Sequence, residues 1–223
     1  KWSMTQYVPS NINLTVYDKE FFIQIIDYAD QFKIFIHKPG ETILSTTPSY
    51  TFQTKTFINF GVKVWSTKIS DTLRSAPIHS RKCRFTNEPL NERYPVYSYN
   101  HCIIECRIKM TVALCDCIPH FYKPLEDERV CDLHELQCFV KHKDEILKLS
   151  VSKTTLKRLR KTRNLPRTQR DCNCLSECES DSYMKDRESI SVDTDDSRIR
   201  ISISSFPKVR VVKDTILNGY DIL

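Results

Sequence analysis

The sequence predicts an α+β fold, and three observations support that prediction. Apolar and polar residues alternate early in the chain and again near its end, a pattern typical of half-buried strands. Between these regions the apolar spacing becomes helical, and all ten cysteines fall in that central stretch. We therefore expect early strands, then a cysteine-rich helical insert, then late strands that return to the early sheet.

The early strands are expected within residues 1–79. Alternation runs from Lys33 to His37 and ends at the turn signal Lys38-Pro39-Gly40, and a second alternating run goes from Thr51 to Trp65. The segment 14–32 mixes both signals. We expect a short helix there, because four apolar residues share one helical face: Phe22, Ile25, Ile26 and Ala29.

Two helices are predicted in the central stretch, at 100–113 and 136–149. Their apolar faces consist of Cys102, Cys106, Met110 and Ala113 in the first helix and of Phe139, Ile146 and Leu149 in the second. The other faces of the first helix carry the charged residues Glu105, Arg107 and Lys109. We expect the two helices to form one small subdomain.

The late strands follow Cys178. Residues from Arg198 to Ser204 alternate strictly between polar and apolar. The β-favouring residues Val209, Val211 and Val212 come next. Strands are therefore expected on both sides of the helical insert.

Length and composition favour a folded domain over a disordered tail. The chain has 223 residues, of which 40% are hydrophobic, enough for one large domain or two small ones. The longest apolar runs are far shorter than the roughly 18 to 20 residues that cross a bilayer. Lys1 is not followed by an apolar leader. We expect the chain to be a piece of a longer protein, and this piece not to span a membrane.

The formal net charge of +6 raises the question of a nucleic-acid partner. Basic residues are mostly interleaved with acids, except between Lys153 and Arg170, where eight Lys or Arg residues occur without an acid. We interpret this segment as a solvated loop or an exposed helix face. A polyanion patch and a processing site at Arg160-Lys161-Thr162-Arg163 are the alternatives. Because aromatic interleaving and nucleic-acid fold motifs do not accompany the charge, we expect no nucleic-acid partner.

Ten cysteines within 96 residues indicate an oxidising compartment, where disulfides supplement a limited core. Two of the cysteine pairs have a matching pitch. Cys102 and Cys106 are four residues apart on a helix, about 6 Å along its axis. Cys172 and Cys174 are two residues apart in an extended segment, about 6.6 Å. If the two elements run antiparallel, Cys102 bonds to Cys174 and Cys106 to Cys172 with little distortion.

The same nesting pairs the remaining six cysteines. The outer bridge is then Cys83 with Cys178, and the inner bridges are Cys115 with Cys138 and Cys117 with Cys131. A zinc site is the alternative, because the four inner cysteines could supply thiolates with His120 and His134 close in sequence. Structural zinc sites more often have two to four residues between paired cysteines, so we favour disulfides and expect no metal or other cofactor.

Enzymatic motifs are absent from the sequence. It contains neither Gly-x-Ser-x-Gly nor His-Glu-x-x-His, and three glycines in the whole chain make a Gly-rich phosphate loop a poor fit. Bonded cysteines cannot serve as nucleophiles. We therefore do not expect an enzyme.

The cysteine pattern and its neighbours resemble a known family. Three segments are similar to the thumb signature of degenerin/epithelial sodium channels and acid-sensing ion channels: Ser98-Tyr99-Asn100-His101-Cys102-x3-Cys106, Cys115-Asp116-Cys117-Ile118-Pro119 and Cys172-Asn173-Cys174-x3-Cys178. Two more, Arg81-Lys82-Cys83-Arg84-Phe85 and Pro119-His120-Phe121-Tyr122, look most like insect pickpocket subunits. The family's thumb bridges are nested in the same order as the bridges expected here.

The resemblance implies the extracellular region of a subunit of a trimeric, sodium-permeable channel of the plasma membrane. It implies finger, β-ball and palm strands at 1–79, a helical thumb at 80–180, returning palm strands at 181–215 and a linker toward a second membrane helix at 216–223. The implied role is to sense an external stimulus and couple it to gating. Its partners would be other subunits of a homo- or hetero-trimer, with sodium passing through a pore outside this chain. A secreted disulfide-rich binding protein is the alternative.

Departures from the family concern acid sensing. In acid-sensing relatives, carboxylate pairs between the thumb and the loop after the Ile-His strand can share a proton, because two close carboxylates do not both ionise cheaply. At the matching positions here Glu41 faces Val140 and Asp144 faces Gly40, so each pair has a single acid. Glu41 and Asp144 are the candidate gating acids, but we do not expect proton sensing through them.

The sequence has one standard N-glycosylation sequon, Asn13-Leu14-Thr15. A chain that passes through the secretory pathway is exposed to the enzymes that modify such sites. We therefore predict that Asn13 is glycosylated, an unused sequon being the alternative.

Overall fold

A computed structural model describes residues 22–26, 31–38, 41–44, 47–53, 55–158, 168, 172–192, 197–205 and 211–214. Within these residues the fold is mixed α+β, as predicted. The strands are β1 Phe22–Ile26, β2 Gln31–Ile34, β3 Tyr50–Gln53, β4 Thr56–Ile69, β5 Cys83–Arg84, β6 Ser176–Glu177, β7 Ser180–Val192, β8 Arg198–Ser205 and β9 Val211–Lys213. The helices are α1 Asp71–Arg74, α2 Ile78–Arg81, α3 Tyr99–Cys115, α4 Leu136–Lys148 and α5 Lys153–Arg158.

The chain divides into two compact units. The first comprises residues 1–36, 48–66 and 181–210, and the second comprises residues 37–47, 67–180 and 211–223. All five described helices belong to the second unit. Each unit has its own buried core, so the two are described separately.

The first unit is built on a sheet in which β1, β8, β4 and β7 are neighbours in that order. Strand β8 runs antiparallel to β1 and parallel to β4, so a late strand pairs with two early strands. This pairing confirms the expected return of the late strands. Strands β2 and β3 form a separate antiparallel pair.

The core of the first unit lies on one face of β4. Ile58, Phe60 and Val62 are buried because every second residue of a strand points to the same face. The ring of Phe60 contacts the rings of Tyr50 and Phe52 edge to face, with centroids 4.7 and 5.7 Å apart. The alternation in the sequence predicts this face.

The prediction of a short helix within 14–32 is wrong for Phe22, Ile25 and Ile26, because these residues lie in the strand β1. Aromatic and β-branched residues favour strands, and β1 gains backbone hydrogen bonds by pairing with β8. The fourth residue of the expected helical face, Ala29, lies outside the described residues.

Two other sequence expectations differ in detail. The run from Thr51 to Trp65 is two strands rather than one, because the chain turns at Lys55, which has a φ of 56°. The 13-residue strand β7 lies where the resemblance implies returning strands, at 181–215, but no alternating pattern in the sequence marks it. Its sequence is mostly polar and its described residues are largely exposed, so it lacks the alternation by which strands are recognised.

Helices α3 and α4 form the centre of the second unit, as predicted. The hydroxyl of Ser98 accepts a hydrogen bond from the His101 N–H at 3.0 Å and caps the start of α3. The C-cap residues that follow the two helices, Asp116 after α3 and Leu149 after α4, are both in the left-handed conformation. The core that they share contains Leu44, Ile103, Ile104, Cys106, Ile108, Met110, Ile118, Ile146, Leu149 and Val151.

None of the helices in the described part of the chain is long and apolar enough to cross a membrane.

Candidate functional site

The central feature of the second unit is a ladder of two disulfides between α3 and residues 172–174. Cys102 bonds to Cys174 and Cys106 bonds to Cys172, with a Cα–Cα distance of 5.7 Å in both bridges. The equal distances mean that the helix and the returning segment lie side by side. They run in opposite directions, because the earlier helix cysteine bonds to the later cysteine of the segment. This is the arrangement that the matching pitch predicts.

Two inner disulfides join the end of α3 to the elements that follow it. Cys115, the last residue of α3, bonds to Cys138 in the first turn of α4, and Cys117 bonds to Cys131. The loop between Cys117 and Cys131 is closed by backbone hydrogen bonds as well, since the Ile118 N–H donates to the Arg129 oxygen at 2.8 Å. The two helices and this loop are thus covalently joined.

The outer disulfide, Cys83 with Cys178, closes the cysteine-rich region. It joins β5 to the residue that directly follows β6. The two strands pair in parallel, and the Cys178 N–H donates to the Arg84 oxygen at 2.9 Å. Both cysteines are buried, in a small apolar cluster with Ile69. Leu73 and Phe85 pack against this cluster.

All ten cysteines are bonded in these five pairs. The pairs coincide with those expected from pitch and nesting. The four cysteines of the zinc alternative are all disulfide-bonded in this structure, so none of them is a thiolate that could bind zinc. Among the described residues no group of three or more His, Cys, Asp or Glu side chains is placed to hold a metal ion.

A buried ion network lies against α3 on the guanidinium of Arg93, whose side chain is 1% exposed. It donates to the carboxylates of Glu105 and Glu128 and to the backbone oxygen of Lys123. Burial lowers the pKa of Arg93, but the hydrogen bonds and charges of the two carboxylates outweigh burial and raise the pKa above its ordinary value. The network links the loop before α3, the helix itself and the loop before α4.

Glu128 completes this network at its more exposed end. Burial raises the pKa of Glu128, but hydrogen bonds from Arg93 and from the Leu125 N–H outweigh burial and lower the pKa. The carboxylate is therefore ionised when the guanidinium is in place. A buried charge stabilises a fold only when it is paired and fully hydrogen-bonded, and Arg93 meets that condition.

The start of α3 is attached to residues 38–42 by side-chain contacts. The Asn100 amide donates to the Glu41 carboxylate at 2.7 Å, and the Nε2 of His101 lies 3.0 Å from the Thr42 hydroxyl. Lys38 forms an ion pair with Glu177, which also accepts a hydrogen bond from the Tyr99 N–H at 3.3 Å. The loop after β2 is thus fixed to the first turn of the helix.

The structure places the two candidate gating acids in different surroundings. Glu41 is half-buried and bonded to Asn100, while Asp144 is exposed on α4. Val140, which the family resemblance places opposite Glu41, is 67% exposed. Gly40, which it sets opposite Asp144, lies outside the described residues. The two acids thus differ in burial and in hydrogen bonding.

Other sequence predictions fall largely outside the described residues. Asn13 is among them, as are residues 215–223 and the processing site at Arg160-Lys161-Thr162-Arg163. Of the basic stretch, only α5 and Thr168 are described. Lys153, at the start of α5, is exposed.

Sequence reasoning missed the buried charges of the second unit. Glu105 and Arg107 are only 6% and 4% exposed, although helical spacing placed them away from the cysteine face. The signal was available, because Ile103, Ile104 and Ile108 distribute apolar residues around the whole helix, which is typical of a fully buried helix. Nothing in the local sequence of Arg93 marks it as buried.

The family model of the amiloride-sensitive sodium channel matches residues 7–214. Sodium channel protein Nach of Drosophila virilis is 29% identical over 123 residues, which are 55% of this chain and 28% of that protein. Pickpocket protein 11 of Drosophila melanogaster is 25% identical over 154 residues, 68% of this chain and 26% of that protein. Pickpocket protein 28 of the same species is 24% identical over 116 residues, 52% of this chain and 19% of that protein.

The fold and the bonded cysteines define a disulfide-rich α+β protein of the kind that folds in an oxidising compartment. Because the family match extends over most of its length, this chain belongs to the amiloride-sensitive sodium channel family. The match and the curated relatives confirm the resemblance to degenerin/epithelial sodium channels and pickpocket proteins. The matched segment spans about a quarter of the length of the first two relatives.

Proposed function

We propose that this chain is the extracellular region of a subunit of a sodium-permeable cation channel in the plasma membrane. In that role it responds to an external stimulus and couples the stimulus to gating. The observation that carries the proposal is the family match over residues 7–214, in a chain whose ten cysteines are all bonded. Stable disulfides are typical of the outer side of a cell membrane.

In this proposal residues 80–180, which make up most of the second unit, act as the channel's thumb. Residues 1–79 and 181–215 supply the finger, β-ball and palm strands, and residues 216–223 lead toward a membrane helix. Because three disulfides join α3 to α4 and to the returning segment, these elements cannot slide past one another. A stimulus that displaces one of them therefore displaces the unit as a single body.

Assembly with other subunits, in a homo- or hetero-trimer, is part of the proposal. It is supported by β1, whose apolar residues Phe22, Ile23, Ile25 and Ile26 are between 37% and 51% exposed. Contiguous exposed apolar residues mark interaction surfaces in folded proteins. In a multi-subunit channel, we propose that a neighbouring subunit covers these apolar residues of β1.

The proposal is tested by recording currents from the full-length gene product, expressed in oocytes alone and together with a pickpocket relative. We expect an inward current that disappears when external sodium is replaced by a large organic cation and that amiloride blocks. Uninjected oocytes and the relative expressed alone are the controls. A surface-expressed product that carries no sodium current in any combination contradicts the proposal.

The secreted binding protein is the competing function, and the transcript separates the two. Apolar segments of about 20 residues encoded before residue 1 and after Leu223 support the channel. A stop codon directly after Leu223 supports the secreted protein.

We also propose that the chain passes through the secretory pathway and carries a glycan on Asn13. Glycosidase treatment of the secreted or surface-expressed chain is expected to increase its gel mobility. The Asn13→Gln variant should already run at the faster position and should not respond to the enzyme. Equal mobility of treated and untreated wild-type chain contradicts the prediction.

A further inference from the structure

Arg107 of α3 is a buried arginine to which no carboxylate of the described residues is bonded. The residue is 4% exposed, and its Nη2 donates to the backbone oxygen of Leu147 at 2.9 Å. Within the described part of the chain its Nε has no hydrogen-bond partner. Burial lowers the pKa of Arg107, against a smaller opposing effect of Tyr122, but a guanidinium remains charged in proteins. Arg93 is just as buried, yet two carboxylates bind it.

Arg107 lines a cavity of about 330 Å³ within the second unit. Most of the wall is aromatic or aliphatic and includes Leu44, Tyr94, Ile104, Phe121, Tyr122 and Phe139. The exposed side chain of Lys143 also lines it, so a second cation accompanies Arg107. No carboxylate belongs to the lining.

The size of the cavity limits what it can hold. Its volume lies at the lower end of the range of small-molecule sites, which begins near 300 Å³. At roughly 30 Å³ for each water-sized group, it has room for about ten non-hydrogen atoms. This is the size of a short fatty acid or a small aromatic acid.

The chemistry of the cavity selects one class of molecule. A buried cation with an unsatisfied N–H gains most from an anion, and the planar guanidinium matches a carboxylate. The apolar wall favours an apolar body on the same molecule. A phosphate monoester carries nearly two charges at neutral pH and would need the exposed Lys143 as well, whereas the buried Arg107 alone matches the single charge of a carboxylate.

We propose that this cavity binds a small amphiphilic monocarboxylate, with its carboxylate on Arg107 and its aliphatic or aromatic body among the aromatic side chains. The binding concerns the second unit by itself and does not depend on ion conduction. It assigns to the unit a ligand that an external chemical stimulus could supply.

The test uses the oxidised, folded chain and octanoate, an acid of about ten non-hydrogen atoms. We expect saturable binding at one site in a calorimetric titration. Octan-1-ol and octylamine have the same apolar body, and we expect each to bind at least about tenfold more weakly because neither supplies an anion to Arg107. Equal binding of octanoate and octan-1-ol, or an absence of saturable octanoate binding, overturns the proposal.

The Arg107→Met variant tests the assigned residue, with Lys109→Met as the matched control. Lys109 is an exposed cation on the same helix, so its loss changes the net charge equally. Arg107→Met should lower octanoate affinity at least about tenfold. The change removes the hydrogen bond to the Leu147 oxygen but leaves no carboxylate unpaired, so the variant is expected to fold. Unchanged affinity in folded Arg107→Met overturns the proposal. If the variant fails to fold, the three-ligand comparison on the wild-type chain decides.

Discussion

Arg93 and Glu105 form a buried ion pair between the loop that precedes α3 and the helix itself, with side chains that are 1% and 8% exposed. Neither residue was expected to be buried, and together with Glu128 they hold the loop against the helix. The pair gives the second unit a polar connection in addition to its disulfides. Arg93 differs in this respect from Arg107, whose buried guanidinium is not bonded to a carboxylate of the described residues.

Replacing Arg93 by Met should destabilise the second unit strongly. The change leaves the Glu105 carboxylate buried and unpaired, which costs about 3 to 5 kcal/mol in comparable cases. Urea denaturation of the oxidised chain measures the free energy of unfolding. The exposed pair of Arg129 and Glu135 provides the control, and Arg129→Met should leave that free energy unchanged within error.

The double variant Arg93→Met with Glu105→Met refines this test. It removes both buried charges, so it should be less destabilised than Arg93→Met alone. Glu128 is 26% exposed and can be solvated without its partner. A single variant as stable as the wild-type chain would show that the buried pair does not hold the loop.

The acid stability of the second unit should depend on Glu145. Burial raises the pKa of Glu145, but hydrogen bonds from Ser152, His142 and Thr155 outweigh it and lower the pKa from 4.5 to about 2. Since the folded pKa lies below the unfolded one, this stabilisation is complete above about pH 4.5 and is lost as the pH falls toward 2. Between about pH 4.5 and 2, the free energy of unfolding should therefore fall less steeply in Glu145→Gln than in the wild-type chain, as measured by urea denaturation at each pH.

Asp144→Asn is the control for the acid-stability measurement, because Asp144 is the exposed neighbour of Glu145 on α4. Its slope should match that of the wild-type chain. An equally steep decline in Glu145→Gln means that the carboxylate does not supply this stabilisation.

Protonation of Glu41 by acid alone should not open a channel that contains this chain. Its carboxylate accepts a hydrogen bond from the Asn100 amide at 2.7 Å. The resemblance places Val140 where acid-sensing relatives have the second carboxylate. A single carboxylate bonded to an amide has no second acid with which to share a proton. We expect the response of full-length channels to an acid step to be the same with Glu41→Gln as with the wild-type residue. Acid-evoked currents that Glu41→Gln abolishes contradict this expectation.

The disulfides should differ in how much they stabilise the unit. Chain-entropy arguments give about 3 kcal/mol for a loop as short as that between Cys117 and Cys131, and at most about 4.7 kcal/mol for the much longer loop between Cys83 and Cys178. The inner bridges shorten that outer loop and reduce its effect. We expect paired Ser substitutions at Cys83 and Cys178 to lower the melting temperature more than those at Cys117 and Cys131. The reverse order contradicts the prediction.

Local rules account for the parts of the fold that the sequence predicts. The helical spacing that predicts α3 and α4, the alternation behind β4 and β8, and the pitch of the paired cysteines depend on neighbours within a few residues. These signals do not need the tertiary structure. They therefore identify elements and their order from the sequence alone.

The failures have a common cause in long-range contacts. Phe22–Ile26 is a strand because β8 pairs with it, and the exposed, polar β7 is a strand because β4 pairs with it. The burial of Arg93 depends on Glu105 and Glu128, which lie 12 and 35 residues away in the sequence. A short window does not contain those partners.

The central claim is that α3 is fixed to an antiparallel returning segment by two disulfides, and non-reducing peptide mapping tests it most directly. Cleavage after Glu105 separates Cys102 from Cys106, and fragmentation of the linked peptides distinguishes Cys172 from Cys174 across Asn173. We predict the links Cys102 to Cys174 and Cys106 to Cys172, together with the three other bridges. A peptide linking Cys102 to Cys172, or free thiols with stoichiometric zinc, would contradict the account.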